Sequence, residues 1–185
     1  MLFVGEAEMM SSRMVLVVSI IISAAVSRLL PHFPNVAPIA AVALFSGAYL
    51  ADRRLAFFVP LAAVFVSDII LGFYGPGEMA AVYVSFAIVV ALGLWLREKR
   101  SALRIGSAAI AASLLFFVIT NFAVWAFGTL YPKTGAGLIE CYIAALPFFR
   151  HTLAGDLSYT LLLFGGFALL ERNLPALRHN TVTAR

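Results

Sequence analysis

IAAVALFSGAYLA, residues 39–51, is the stretch on which the fold turns. It is apolar and rich in Ala, Ser and Gly, yet only 13 residues long. A helix that crosses a bilayer needs about 20 mostly apolar residues, within a range of about 17 to 25. The segment before it, SRLLPHFPNVAP (residues 27–38), carries three prolines. Either those prolines sit partly at membrane depth and the short segment crosses, or it is re-entrant. Five other stretches read as spans: residues 14–30, 55–73, 79–96, 105–128 and 152–170. If residues 39–51 also cross, the chain is an all-α bundle of six transmembrane helices with both termini cytoplasmic. The inner side then holds Arg13, Arg53, Arg54, Arg97, Lys99, Arg100, Arg104, Arg172, Arg178 and Arg185, and the outer side only Arg28, Lys133 and Arg150. Basic residues concentrate in cytoplasmic loops. A re-entrant segment would move Arg53 and Arg54 outside and spoil that asymmetry, so six crossings are expected.

Composition points the same way. Of 185 residues, 63% are hydrophobic and 12% charged, with a mean hydropathy of +1.00. Soluble domains have about a quarter charged residues and under half apolar ones. So much apolar surface calls for a bilayer as solvent. One cysteine excludes an intrachain disulfide framework. No basic patch interleaved with aromatics suggests nucleic acid. Residues 1–13 and 173–185 are expected as cytoplasmic tails around one membrane domain, residues 14–172. A cleaved leader is not expected: Glu6 and Glu8 make the region before Met14 acidic, and the apolar run continues through Leu30.

The inner loops are short and basic and read as topology anchors. The outer connections gather prolines, glycines, aromatics and isolated charges. Pro31, Pro34 and Pro38 fix φ and remove donors, so their segment is partly preorganised. Arg28, His32 and Asn35 stand among them as ligand contacts, or the prolines merely punctuate two helices. Residues 138–149 form a short near-apolar stretch broken by Pro147, and a run of that length reads as re-entrant or interfacial. Irregular segments at depth survive where they line a cavity. Asp68 and Asp156 lie near the outer ends of their spans. Each forms an ion-pair lock with Arg28 or Arg150, or else faces a ligand. Asn121 and Trp125, one turn apart, are interhelical glue and an interfacial anchor, or a pocket wall with Tyr74, Tyr83, Tyr131, Lys133 and Tyr142. Ser19, Ser23 and Ser27 recur every fourth residue on the first helix, which permits close approach of another helix of this chain or of a partner.

Several blocks, RLLPHFPNVAPIAAVALFSGAY, SDIILGFY, NFAVWAFGTLYPKTGAGLIECY and GDLSY, resemble a small bacterial membrane family of unassigned function. That family is similar in turn to the substrate-binding (S) components of energy-coupling-factor vitamin transporters. The resemblance implies an inner-membrane protein that takes a small nutrient beneath its outer loops and docks its first helix on energising subunits. A corrinoid, cobalamin first, or another vitamin is the implied ligand, with Cys141, His32 and His151 as candidates to reach a corrinoid cobalt. No resident cofactor is implied. An integral-membrane metal enzyme using His32, Cys141, His151 and Asp156 is the rival reading, although neither HExxH nor CxxC spacing occurs. KTGAG (residues 133–137) lacks the Lys-Ser/Thr of a phosphate loop. A structural or assembly subunit of a membrane complex is the third reading.

Overall fold

Eleven residues form the centre of the molecule. The computed structural model describes residues 2–27, 38–174 and 177. In it α2 (Ile39–Tyr49) is a helix about 16 Å long, buried from Ala40 through Ala48. A helix apolar on every side has no solvent face to offer and belongs inside a bundle. Around it pack α1 (Leu2–Val26), α3 (Arg53–Leu71), α4 (Pro76–Trp95, carried on by a 3-10 turn, Leu96–Glu98), α5 (Ala102–Phe127) and α6 (Gly135–Thr160). A π-helical turn, Leu161–Gly165, joins α6 to α7 (Gly166–Asn173). Among the described residues there is no strand.

Small residues let α2 sit this deep. A methyl added at Gly47 would lie 2.2 Å from the Val90 carbonyl oxygen, and one at Gly93 would lie 2.3 Å from the Leu44 carbonyl oxygen. The backbones of α2 and α4 therefore touch, as helices do in membranes where small residues meet. Arg97, just past α4, closes the other end of α2. Its Nε donates to Gly47 O at 2.7 Å and its Nη1 to Ala51 O at 3.1 Å, while Nη2 donates to Leu50 O. A guanidinium here meets the orphan carbonyls and the negative end of the helix dipole together. Ser46 Oγ adds a 2.8 Å bond to Ala56 O of α3.

Aromatic rings finish this end of the core. Phe45 and Tyr49 of α2 meet Phe164 and Phe167 at centroid distances of 4.6 to 5.6 Å. Arg13 lies 5.8 Å from the Phe167 ring and 2.7 Å from Glu171, and Arg100 lies 4.4 Å from the Tyr49 ring. These contacts bring the start of the chain, both basic loops and the end of the last helix to one end of the bundle. At the opposite end the α3–α4 and α5–α6 connections come together, with Gly77 against Phe127. The six rods thus alternate in direction.

Four of the rods are long and apolar enough to cross a membrane: Arg53–Leu71, Pro76–Glu98, Ala102–Phe127 and Gly135–Asn173. Their outward faces are apolar as well, with Phe58, Ile70, Leu161 and Leu162 exposed. Arg13–Val26 and Ile39–Tyr49 are shorter apolar helices. Because α1 begins at Leu2, most of the expected N-terminal tail continues the first helix.

One expectation is overturned. Residues 138–149 are not a separate re-entrant or interfacial piece, and no break precedes residues 152–170. Both belong to one rod of 39 residues, Gly135–Asn173, with Pro147 inside it. A proline removes one backbone bond and strains the turn before it. The rod continues because α5 holds it on both sides of Pro147, through Tyr142 and Cys141 on one side and Asp156 on the other.

Two predictions follow from the crossing of α2 and α4. Gly47→Ala or Gly93→Ala is expected to destabilise the protein by about 1–3 kcal/mol through overpacking. Gly106→Ala, where a methyl meets nothing within 4 Å, should be neutral or gain up to about 1 kcal/mol. Thermal unfolding in detergent compares the three. Arg97→Lys is expected to cost about 1.5–3 kcal/mol, because one ammonium does not span three carbonyls. Recovery of full stability by the lysine, in the same assay, would contradict the clamp.

Candidate functional site

The seam between α5 and α6 is pinned at three levels. Near the end remote from the basic loops, Tyr142 Oη donates to Val118 O at 2.7 Å, and Cys141 Sγ approaches Asn121 O at 3.4 Å. Lower down, Ser113 Oγ donates to Asp156 Oδ2 at 2.7 Å, and both residues are buried. Between these ties, Phe117 and Phe149 touch at 4.8 Å between ring centroids.

Beside that ring contact the helices part. Phe116, Phe117, Thr120, Asn121, Ala145, Phe148, Phe149 and Thr152 line a groove of about 270 Å³. Its depth follows from the position of α2. Tyr49 packs on Phe167, and the start of α2 lies about 15 Å up the bundle from there, level with Asp156. The groove begins above that level, where α2 has ended. Among the described residues the buried side chains of α5 and α6 follow the same division. Ala108, Ala109, Ala112, Ser113, Gly155, Asp156 and Thr160 lie beside α2, and only Ala123, Gly137 and Cys141 lie beyond the groove.

The lining repeats itself. FFVIT (residues 116–120) and FFRHT (residues 148–152) share the pattern Phe-Phe-x-x-Thr on two antiparallel helices. In each, the threonine hydroxyl donates to the carbonyl of the first phenylalanine: Thr120 to Phe116 O at 2.7 Å, Thr152 to Phe148 O at 3.2 Å. Asn121 Nδ2 likewise donates to Phe117 O at 2.8 Å. At bilayer depth a polar side chain without a partner is costly, and these three find theirs one turn back on their own helices. Their oxygens stay available as acceptors. Arg150 and His151 are exposed. At 100° per residue they stand on flanks of the rod away from the groove-facing Phe148, Phe149 and Thr152, so among the described residues no charged side chain lines it.

The other residues singled out in the sequence do not gather here, as far as they fall among the described residues. Asp68 is 1% exposed and accepts a 2.9 Å bond from Tyr83 Oη. Tyr74 is exposed in the α3–α4 turn. Trp125 Nε1 donates to Pro132 O at 2.9 Å, and the Lys133 ammonium donates to Trp125 O and Gly128 O, capping the end of α5. Tyr131 is half-buried in the same turn. Arg28, His32 and Asn35 lie outside the described residues. Ser19 and Ser23 are exposed, and Ser27 bonds Ala24 O at 2.7 Å.

One further expectation changes. Asp156 is not near the outer end of a span but well inside the long rod, and it bonds Ser113 rather than Arg150. Nor do His, Cys, Asp or Glu side chains gather in threes among the described residues. Cys141 and Asp156 lie about 22 Å apart along one helix, too far to share an ion. Of the sequence candidates among the described residues only Asn121 lines the groove. The doubled Phe-Phe-x-x-Thr pattern was the signal for the rest.

The tie between Ser113 and Asp156 can be weighed by a double-mutant cycle with Ser113→Ala and Asp156→Asn. Interhelical hydrogen bonds in membranes average about 0.6 kcal/mol and reach about 1.7. A coupling in the upper half of that range is expected from unfolding in mixed micelles. Zero coupling would remove the bond from any account of the seam.

No curated protein and no solved structure matches the chain. A family model described as a family of unknown function (DUF6580) matches residues 8–177. With nearly its whole length covered, the chain belongs to that family.

Proposed function

We propose that this chain is a membrane substrate-binding protein for the uptake of a small, vitamin-like nutrient. In this reading six helices cross a bacterial inner membrane, with both termini and the basic loops inside. The observation that carries it is the makeup of the groove between α5 and α6. A groove of about 340 Å³ between α1 and α3 is lined by apolar residues and a single serine, whereas this one sets three polar side chains among aromatic rings. Small-molecule sites have this makeup, mostly apolar walls with a few polar handles. At about 270 Å³ the groove sits just below the roughly 300–1,000 Å³ of drug-sized pockets. It therefore suits a single- or double-ring nutrient better than a corrinoid, which needs more room.

The outward-facing Ser19 and Ser23 on α1 support docking of an energising subunit, since small residues allow another helix to come close. The isolated chain then binds without turnover.

Mass spectrometry of small molecules carried through purification, paired with uptake assays on a deletion strain, tests this reading. One nutrient is expected to co-purify near stoichiometrically and to lose its uptake on deletion. Asn121→Leu should lower its retention at least fivefold. A protein that carries nothing, in cells whose uptake of a broad vitamin panel is unchanged, would end the proposal.

A further inference from the structure

The two Phe-Phe-x-x-Thr faces have a chemical consequence that rests on the uptake reading above and narrows it. They are the same motif carried on two antiparallel helices that face each other across the groove. Their second rings, Phe117 and Phe149, touch. The first rings differ: Phe116 stacks at 5.2 Å on the buried Phe86, toward the core, whereas Phe148 is 55% exposed. Each threonine has already committed its only hydroxyl hydrogen to its own helix. Neither can donate to a ligand without giving up that bond, but both can accept. The Phe117 carbonyl fixes which end of the Asn121 amide is nitrogen, because a carbonyl needs a donor opposite it. Among the described residues nothing donates to Thr120 Oγ1, Thr152 Oγ1 or Asn121 Oδ1.

We infer that the groove selects an uncharged, planar ring system carrying N–H or O–H donors on opposite edges. The rings supply flat apolar walls, and the acceptors stand on both helices, Thr120 and Asn121 on α5 and Thr152 on α6. Among the described residues the lining holds no cation, and its one spare donor is the second N–H of Asn121, so an anion would lose most of its hydration uncompensated. A ring stripped of donors leaves the acceptors unanswered, and sites that use hydrogen bonds at depth discriminate strongly against such analogues.

The full chain in lipid nanodiscs tests this with three probes of one shape: 2,6-dihydroxynaphthalene, 2,6-dimethoxynaphthalene and 2-naphthoate. Probe fluorescence is read against empty nanodiscs to subtract partitioning. Saturable binding of the diol is expected, at least tenfold tighter than the ether or the carboxylate. Thr120→Val and Thr152→Val, which keep side-chain shape, should each weaken the diol threefold or more and leave the ether unchanged. Phe148→Leu should weaken diol and ether alike. Equal or tighter binding of the ether, preference for naphthoate, or indifference to both valines overturns the inference, as does no saturable binding. A nutrient that is taken up by a protein lacking the diol preference leaves the uptake reading standing and removes this assignment. A clear diol preference with no nutrient taken up does the reverse.

Discussion

Backbone contact between α2 and α4 is the constraint from which the rest of the arrangement follows. An 11-residue helix is too short to reach across a bilayer and has no face to give to water. It is held because Gly47 and Gly93 bring two main chains together and because Arg97 takes the carbonyls at its end. Any side chain at either glycine would push α2 outward and pull Phe45 and Tyr49 from Phe164 and Phe167. Once α2 is seated, the other five rods close around it on its own level. Above that level nothing described stands at the centre, and α5 and α6 separate.

That separation sets two requirements against each other. The seam must be firm enough to carry a rod interrupted by a proline, yet open enough to leave a groove. The chain divides the work by position. Direct side-chain bonds between helices, from Ser113, Cys141 and Tyr142, lie on either side of the contact between Phe117 and Phe149. Within the groove the polar side chains bond only their own helices. A ligand entering there disturbs no interhelical hydrogen bond.

Much of the architecture could be read from residue order. The brevity of residues 39–51 and the gathering of arginines on alternate loops gave the alternation of rods, and those arginines do converge in space around Arg13, Arg97 and Arg100. Pro147 misled, because its local effect is to break a helix while the ties that override it come from α5. The site residues were harder. Trp125, Lys133, Cys141 and Tyr142 were singled out by side-chain type, and their partners turned out to be main-chain carbonyls, which no sequence displays. Thr120 and Thr152 drew no notice because each is ordinary alone. Only the repetition of their surroundings on facing helices marks them.

The rod Gly135–Asn173 is about 58 Å long, against a hydrocarbon layer of about 30 Å. To lie wholly inside that layer it would have to lean by about 59°, whereas spans lean by about 0–40°. Even at the steepest common lean, some 19 Å must overhang. Both halves of the rod carry exposed charge suited to lipid headgroups, Glu140 and Arg150 toward its start and Arg172 at its end beside Glu171. There the bond between Arg13 and Glu171 is weakened by dissolved ions, and grip on the base of the rod passes to the rings beneath it.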